Sequence, residues 1–371
     1  MNSYLTKQRI EYGRYTQVMV ILRICLIISL FIPALASAEI EDYPSTEPMP
    51  EIPIGAHLEG DIIVWDSAED QENTGGAPGG NYWPSGTVPY IFASNVSSTN
   101  QTRAINAMQL WENVTNVNFR PWQGGDMAFL LIQDASSNSS FVGPQGGPQV
   151  VNITNWNFPR IIAHELAHAL GVHHEQSRMD REIYVTINFD NISSSCGNNG
   201  DEDCSYNFDM ELSAFDLYSP YDYDYDSIMH YGPTALSTGG NTITTLAPFN
   251  SQNINFVNQD IGPNGQCFTR NVPSGGWQTG IGQLNHLSHW DCRMMSFIYP
   301  QNNWGFLLPS RASSNSIFQI GIFSFPWKFI DDALAGTPAG GTLWIDGGTY
   351  IPPTINQAIT ILAPKGTVIL N

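Results

Sequence analysis

The run His164-Glu165-Leu166-Ala167-His168 constrains this chain more than any other stretch of it. Residues four apart in a helix share a face, so a helical reading sets the two imidazoles side by side with Glu165 one step away. Pro159 opens such a helix, Ile161 to Leu170 form its interior, and Gly171 stops it. Gly171 can take the left-handed conformation that reverses the chain, which returns His174 toward the first two histidines. Three nitrogen ligands, His164, His168 and His174, leave a fourth position on one zinc ion open, which is a catalytic and not a closed structural arrangement. Glu165 is then angled to meet a water there and to act as general base and acid. Ordinary core or surface histidines are the alternative, and they have no reason to keep this spacing with the Glu and the Gly in register.

Charge and cysteine usage narrow the setting. Fourteen Lys and Arg stand against 34 Asp and Glu, a formal charge of −20. Such a surface repels phosphate backbones and anionic lipid, so no nucleic-acid partner is expected. The 15 Tyr, 18 Phe and 10 Trp can fill a sizeable core, which excludes wholesale disorder. Lys7, Arg9, Arg14 and Arg23 form a basic leader ahead of the apolar run from Ile24 to Leu35, and Ala36-Ser37-Ala38 supplies a small-residue cleavage pattern. Residues 1–38 therefore read as a signal peptide; the apolar run falls short of the roughly 20 residues that span a bilayer. The expected product is secreted and extracellular, with no stable membrane anchor after cleavage. Cys25 leaves with the leader, and Cys196, Cys204, Cys267 and Cys292 remain, open to three pairings. Short loop closure favours Cys196 with Cys204 and Cys267 with Cys292. No Cys-x-x-Cys spacing suggests zinc binding by these four.

Along the chain, residues 39 to about 80 are acidic and rich in Pro and Gly, without any Lys or Arg. Val88, Tyr90 and Phe92 alternate like a strand. Ser98 or Thr99 is a candidate cap for a helix to Trp111 that buries Met108 and Trp111 with either Ile105 or Ala104. Phe129 to Ile132 and Val150 to Ile153 read as buried strands, joined by a Gly/Pro/Ser loop from Ser136 to Pro148. Beyond Gly171 the text is expected to be irregular up to Tyr299, held by disulfides and a site. From Asn302 short strands recur, over Gly341–Tyr350, Ile359–Pro364 and Val368–Leu370. This tail resembles the opening rungs of a right-handed parallel β-helix as in pectate-lyase-like proteins. It has fewer rungs than a continuous core needs, reads as incomplete, and is expected to promote self-association through unpaired strand edges.

The extended zinc motif is similar to that of the metzincins, which also carry a Met-turn, and Ser227-Ile228-Met229-His230-Tyr231 supplies one. His164 through His174 followed by Glu175-Gln176-Ser177-Arg178-Met179-Asp180-Arg181 resembles the astacin family, as do Asp226 through Gly232 and Trp83-Pro84-Ser85-Gly86-Thr87-Val88-Pro89-Tyr90. The resemblance covers Trp83 to Tyr299. It implies an α+β fold: a metzincin-type catalytic domain with an N-terminal twisted β-sheet and two long helices, an irregular C-terminal subdomain across an active-site cleft, and here a short β-rich tail. It implies a zinc endopeptidase acting on polypeptide substrates with one catalytic Zn2+, bound by His164, His168, His174 and, as a further ligand, Tyr231. That tyrosine would swing away to stabilise the tetrahedral intermediate. Met229 is implied as a floor beneath the metal, and Glu175 as the partner, through water, of the mature N-terminus. His173 and His230 are not ligands in that pattern.

Leu58-Glu59-Gly60-Asp61 resembles the family's propeptide switch, with Leu58 in place of an aromatic residue, and implies Asp61 as the carboxylate that blocks the metal. The expected organisation is an acidic propeptide over 39–73, a peptidase domain over 74–301 and the β-helix-like tail over 302–371. Cysteines usual in the family are absent around Ser136–Pro148, near Val117 and after Tyr299, so its disulfide map does not transfer. The run Tyr221 to Asp226 lacks the Gly and closing Glu of a calcium loop. Glycosylation sequons stand at Asn95, Asn100, Asn113, Asn138, Asn152 and Asn191. The rival reading is a secreted binding protein with a vestigial protease domain; losing Glu165 or a ligand histidine would have favoured it, and all are present.

Overall fold

The computed structural model describes residues 45–66, 82–196, 204–210, 223–247, 267–268, 272–300, 304–307, 309, 326–351, 354–363 and 368–370. The leader over 1–38, the mature N-terminus expected near Thr74 or Gly75, and Tyr221 and Asp222 lie outside them. The chain divides into Met1–Ser45 and Thr46–Asn371, and the described strands and helices all belong to the second unit.

Seven strands form the main sheet: β1 (Ala56–Glu59), β2 (Ile62–Trp65), β3 (Thr87–Phe92), β4 (Asn118–Pro121), β5 (Phe129–Asp134), β6 (Ser139–Phe141) and β7 (Pro148–Ile153), in the order β1-β2-β6-β7-β5-β3-β4. The pairs β1–β2 and β6–β7 are antiparallel and the rest parallel. β5 lies centrally, which is why Phe129 to Gln133 are buried on both faces and read as one apolar run. The alternation of Val88, Tyr90 and Phe92 marks a strand, and β3 is one; within it Val88, Pro89 and Ile91 are buried and Tyr90 and Phe92 half covered. The stretch from Ser136 to Pro148 is not all loop. Its strand β6 is Ser-Ser-Phe, fully buried but carrying no apolar alternation to betray it.

Helix α1 (Ser98–Glu112) is capped by Ser97, whose hydroxyl accepts from the Asn100 N–H at 3.3 Å, one residue before the expected caps. It buries Ala104, Ala107, Met108 and Trp111 and leaves Ile105 exposed, which settles the choice for Ala104. Trp111 reaches helix α2 (Pro159–Ala169) and donates its indole N–H to the Ala163 carbonyl at 3.0 Å. α2 ends as its sequence predicts. Gly171 has φ +105°, its N–H bonds the His168 carbonyl, and the Val172 N–H bonds the Ala167 carbonyl. The Ala169 and Leu170 carbonyls, orphaned at the helix end, accept from the Trp83 indole at 2.8 Å and the Tyr299 hydroxyl at 2.7 Å. The Asn116 N–H bonds the Tyr299 carbonyl at 3.0 Å, which ties this stretch to the residues just before Val117.

In the half after Gly171 the described elements are short, as expected, with one ten-residue helix that the expectation lacked. Strands β8 (Val185–Ile187) and β9 (Ile243–Thr245) pair antiparallel, and β10 (Cys267–Phe268) pairs parallel with β11 (Leu287–Ser288). Helix α3 (His289–Ile298) follows, with a reciprocal capping box between Ser288 and Asp291. A second core gathers Val185, Phe208, Tyr223, Tyr225, Ile243 and Trp277 beside the larger one. The structure pairs Cys196 with Cys204 and Cys267 with Cys292.

In the tail, β12 (Trp304–Leu307), β13 (Thr342–Ile345) and β15 (Thr360–Leu362) stack in parallel, as do β14 (Gly348–Tyr350) and β16 (Val368–Leu370). Helix α4 (Ile330–Gly336) buries Ile330, Ala333 and Leu334 against Leu343 and Ile345. Phe297 of α3 meets Phe306 and Trp344 edge-on at 5.7 and 4.8 Å. Removing residues 302–371 would bare Phe297, a loss of about 1.5–3 kcal/mol for one aromatic side chain. A chain ending at Gln301 is expected to melt several degrees lower by calorimetry yet keep its zinc site, which lies elsewhere. An unchanged melting temperature would contradict this packing.

Candidate metal centre and active site

α2 presents His164 and His168 on one face, and the Gly171 reversal brings His174 to them. His164 donates its Nδ1–H to the Ile228 carbonyl at 2.7 Å, and His168 donates its own to the Val172 carbonyl at 2.7 Å. Carbonyls only accept, so each Nδ1 carries the proton and each Nε2 exposes a lone pair. Those two Nε2 atoms are 3.1 Å apart. The Asp61 carboxylate stands over them, 3.2 Å from His164 Nε2 and 3.8 Å from His168 Nε2. Its Oδ1 is 3.0 Å from His174 Nε2, although neither atom makes a hydrogen bond with acceptable geometry. One ligand atom from each of Asp61, His164, His168 and His174 fits within 4.8 Å of the others. Facing lone pairs and a carboxylate repel unless a cation sits among them, and three imidazole nitrogens with one oxygen suit zinc. These residues fit the ion.

Electrostatics follow from burial. Burial alone would raise the Asp61 carboxyl, but His174 and His164 outweigh it and hold it well below the usual range. Burial drives His168 well down, helped by the charges of His174 and His164, so it stays a neutral ligand. Glu165 is buried on the same helix; burial, and behind it the Asp61 charge, push it well above an ordinary glutamate. Its Oε2 has no hydrogen-bond partner among the described residues.

The Met-turn is held from α3. Asp291, the capping residue, accepts from Ser227 Oγ at 2.5 Å and the Ile228 N–H at 3.0 Å. Met229 is buried, and its carbonyl accepts from the Glu175 N–H at 2.9 Å. Glu175 Oε1 accepts from Arg178 Nη1 at 2.9 Å and from the Asp224 N–H at 2.7 Å. His230 donates Nδ1–H to the Tyr231 carbonyl at 2.7 Å and accepts from Tyr223 Oη at 2.7 Å, and burial lowers it to about 4. It is structural. His173, pushed down to about 4 by burial and then by His174, stands outside the ligand cluster. Tyr231 lies with its ring 4.4 Å from that of His174 and its N–H bonded to Gln176 Oε1 at 2.9 Å. The Asp224 and Asp226 carboxylates of the acidic run are turned onto Ser288 and His286.

The Asp61 segment is bound more widely than its motif suggests. Gly60 and Asp61 form the turn between β1 and β2, and the Ser140 N–H of β6 donates to the Asp61 carbonyl at 3.0 Å. Gly60 has φ +62°, and a Cβ there would lie 2.1 Å from Tyr231 Oη, so only glycine fits. Upstream, Gln133 bonds both the N–H and the carbonyl of Met49, at 2.9 and 3.0 Å. Asn152 bonds the Glu51 carbonyl at 2.7 Å and is itself buried, which removes it as a glycan acceptor in this fold. Trp65 stacks on Phe141 and donates to Gln145 Oε1 at 2.9 Å. No motif marks Gln133, Asn152 or Gln145, because each acts across 80 or more residues of sequence.

Residues 77–265 match the family model described as Astacin, a peptidase family. The chain is 30% identical over 277 residues to zinc metalloproteinase nas-39 of Caenorhabditis elegans, covering 73% of this chain and 26% of that protein. It is 33% identical over 198 residues to the low choriolytic enzyme of Oryzias latipes, covering 52% of this chain and 68% of that one. Among solved structures it is similar to high choriolytic enzyme 1, a hatching enzyme zinc-protease of Oryzias latipes, at 30% identity and a TM-score of 0.43 over 58% of this chain and 90% of that one. The chain spans about a quarter of nas-39 and about a third of nas-13 of Caenorhabditis elegans. With its three histidines, its buried glutamate and a matched model over half its length, the chain belongs to the astacin family of zinc metalloproteinases.

Proposed function

We propose that this chain is a secreted zinc endopeptidase made as a latent precursor, with Asp61 as its block. The observation that carries the reading is the Asp61 carboxylate seated among three histidine Nε2 atoms, beside a buried glutamate that binds nothing else described. When bound, zinc would lower the pKa of a water at the open position and polarise the scissile carbonyl. His164, His168 and His174 hold it, the first two fixed in tautomer by the Ile228 and Val172 carbonyls. Glu165, biased by burial toward holding a proton, takes one from the attacking water and hands it to the departing amine. The Tyr231 hydroxyl, on a ring already packed against His174, donates to the oxygen of the attacked carbonyl. Met229 forms the floor of the metal site, and Glu175 receives the new N-terminus after activation. The substrate cleft runs between the main sheet and the half of the chain after Gly171.

The proposed divisions are a signal peptide over 1–38, a propeptide over 39–73, a peptidase domain over 74–301 and the β-rich tail over 302–371. Leader composition and two disulfides support export. Among the described residues no helix is long and apolar enough to cross a membrane. Chelator-sensitive cleavage of casein by the purified, processed chain tests the activity; cleavage that survives chelation and zinc loss rejects it.

Activation is expected to avoid trypsin-like enzymes, since no Lys or Arg stands between Arg23 and Arg103. Trypsin added to the Glu165→Ala precursor should produce no new N-terminus between residues 70 and 83. Sequencing such a terminus would overturn this expectation.

A further inference from the structure

The turn Cys204–Phe208 carries two side chains that reach the Asp61 hairpin from the side opposite β6. Tyr206 donates its hydroxyl to the Leu58 carbonyl at 3.1 Å. Asn207 donates Nδ2–H to the Cys204 carbonyl at 3.1 Å, which fixes the side chain and aims Oδ1 at Gly60. A Cβ on Gly60 would lie 3.0 Å from that oxygen. Asn207 is only 7% exposed, and its Oδ1 has no hydrogen-bond partner among the described residues. An amide oxygen buried without a donor is a cost to the fold, and it is tolerated where a ligand later supplies the donor. The turn is rigidly placed for such a task. The Cys196–Cys204 disulfide closes one end, and the buried Arg181 guanidinium donates to the Phe208 carbonyl at the other.

We propose that Asn207 is a substrate-binding residue that accepts one backbone N–H of the bound polypeptide through Oδ1. Tyr206 donates to a neighbouring backbone carbonyl, as it does to Leu58 in the latent chain. Substrate would then be gripped on its backbone from two walls, the β6 edge and this turn. The latent hairpin satisfies only part of that wall: Gly60, forced by Tyr231 and by its own backbone conformation, offers Asn207 no donor. The proposal rests on the endopeptidase reading and assigns a residue that the zinc chemistry does not use.

The test is a backbone scan on the processed full chain. A peptide that the wild type cleaves is remade with single ester linkages, each replacing one N–H by oxygen, at the two residues on either side of the scissile amide. The wild type should lose about tenfold in kcat/KM at one position, the size expected for one hydrogen bond to a buried acceptor. Asn207→Leu should raise KM for the all-amide peptide about five- to tenfold with kcat within threefold, and should lose the position-specific ester effect to within twofold. Asn207→Asp keeps the acceptor and discards the Nδ2 donor, so it should retain the ester effect whatever it does to stability. An unchanged ester effect in Asn207→Leu, or its loss in Asn207→Asp as well, would overturn the assignment. Failure of the wild type to cut any peptide would instead reject the endopeptidase reading beneath it.

Discussion

Glu165→Ala is expected to bind one zinc per chain and to lose peptide hydrolysis by at least about 10²–10⁴-fold. The separation of the two effects follows from position. Glu165 is not among the ligand atoms that converge on the metal position, and the carbonyl partners of His164 and His168 are untouched by its removal. What disappears is the group that moves a proton between water and leaving amine. Stability should not suffer, since a buried carboxylate with an unpartnered oxygen is a net cost to the fold. Zinc content by elemental analysis, calorimetric melting and casein cleavage read the three quantities in one preparation. Casein cleavage within threefold of the wild type would sink the proposed mechanism.

Asp61→Ala has the second large effect, and it falls on latency. The uncleaved chain should gain at least about tenfold in peptidase activity, because the carboxylate that stands over the three histidines is gone. It should nevertheless remain well below the processed enzyme. The hairpin and the segment upstream keep their other ties: the Ser140 N–H to the residue 61 carbonyl, Tyr206 to the Leu58 carbonyl, Trp65 on Phe141, and, upstream, Gln133 on Met49. A ladder of backbone bonds along a sheet edge holds a peptide even when one side-chain contact is lost. Gel analysis of the Asp61→Ala chain during the assay shows whether the measured activity belongs to the uncleaved protein. Full activity in the uncleaved single variant would mean that Asp61 alone maintains the block, and no gain would mean that it does not block at all.

Legibility in the sequence tracked how local each cause is. α2 was readable from Pro159 to Gly171 because its start, its face and its stop are set by neighbours within a few residues, and the Gly171 reversal follows from one backbone conformation. β3 was readable as a strand from Val88, Tyr90 and Phe92, but which of its side chains are fully covered was not, because packing around the sheet decides that. α3 was overlooked although its capping pair, Ser288 and Asp291, stands in the text; Gly- and Asn-rich flanks hid a ten-residue helix. The Ser-Ser-Phe strand β6 has no periodic signal, since its burial comes from β2 and β7 on either side.

The histidine triad, the adjacent glutamate, the glycine reversal and the family were thus legible in the sequence itself, and short loop closure favoured the cysteine pairing that the structure has. Each depends on spacing along the chain or on short loop closure, which residue order fixes directly. The tertiary structure alone decided that the Ile228 carbonyl orients His164, that Asp291 at the start of α3 holds the Met-turn, and that the tail shares its core with Phe297. It also decided that Tyr206 holds the hairpin bearing Asp61 and that Gln133 and Asn152 hold the segment just upstream of it. Such contacts join residues up to about a hundred and fifty positions apart. Hydrogen-bond partners at that separation are chosen by how sheet, helices and turns pack together, and no local propensity encodes that choice.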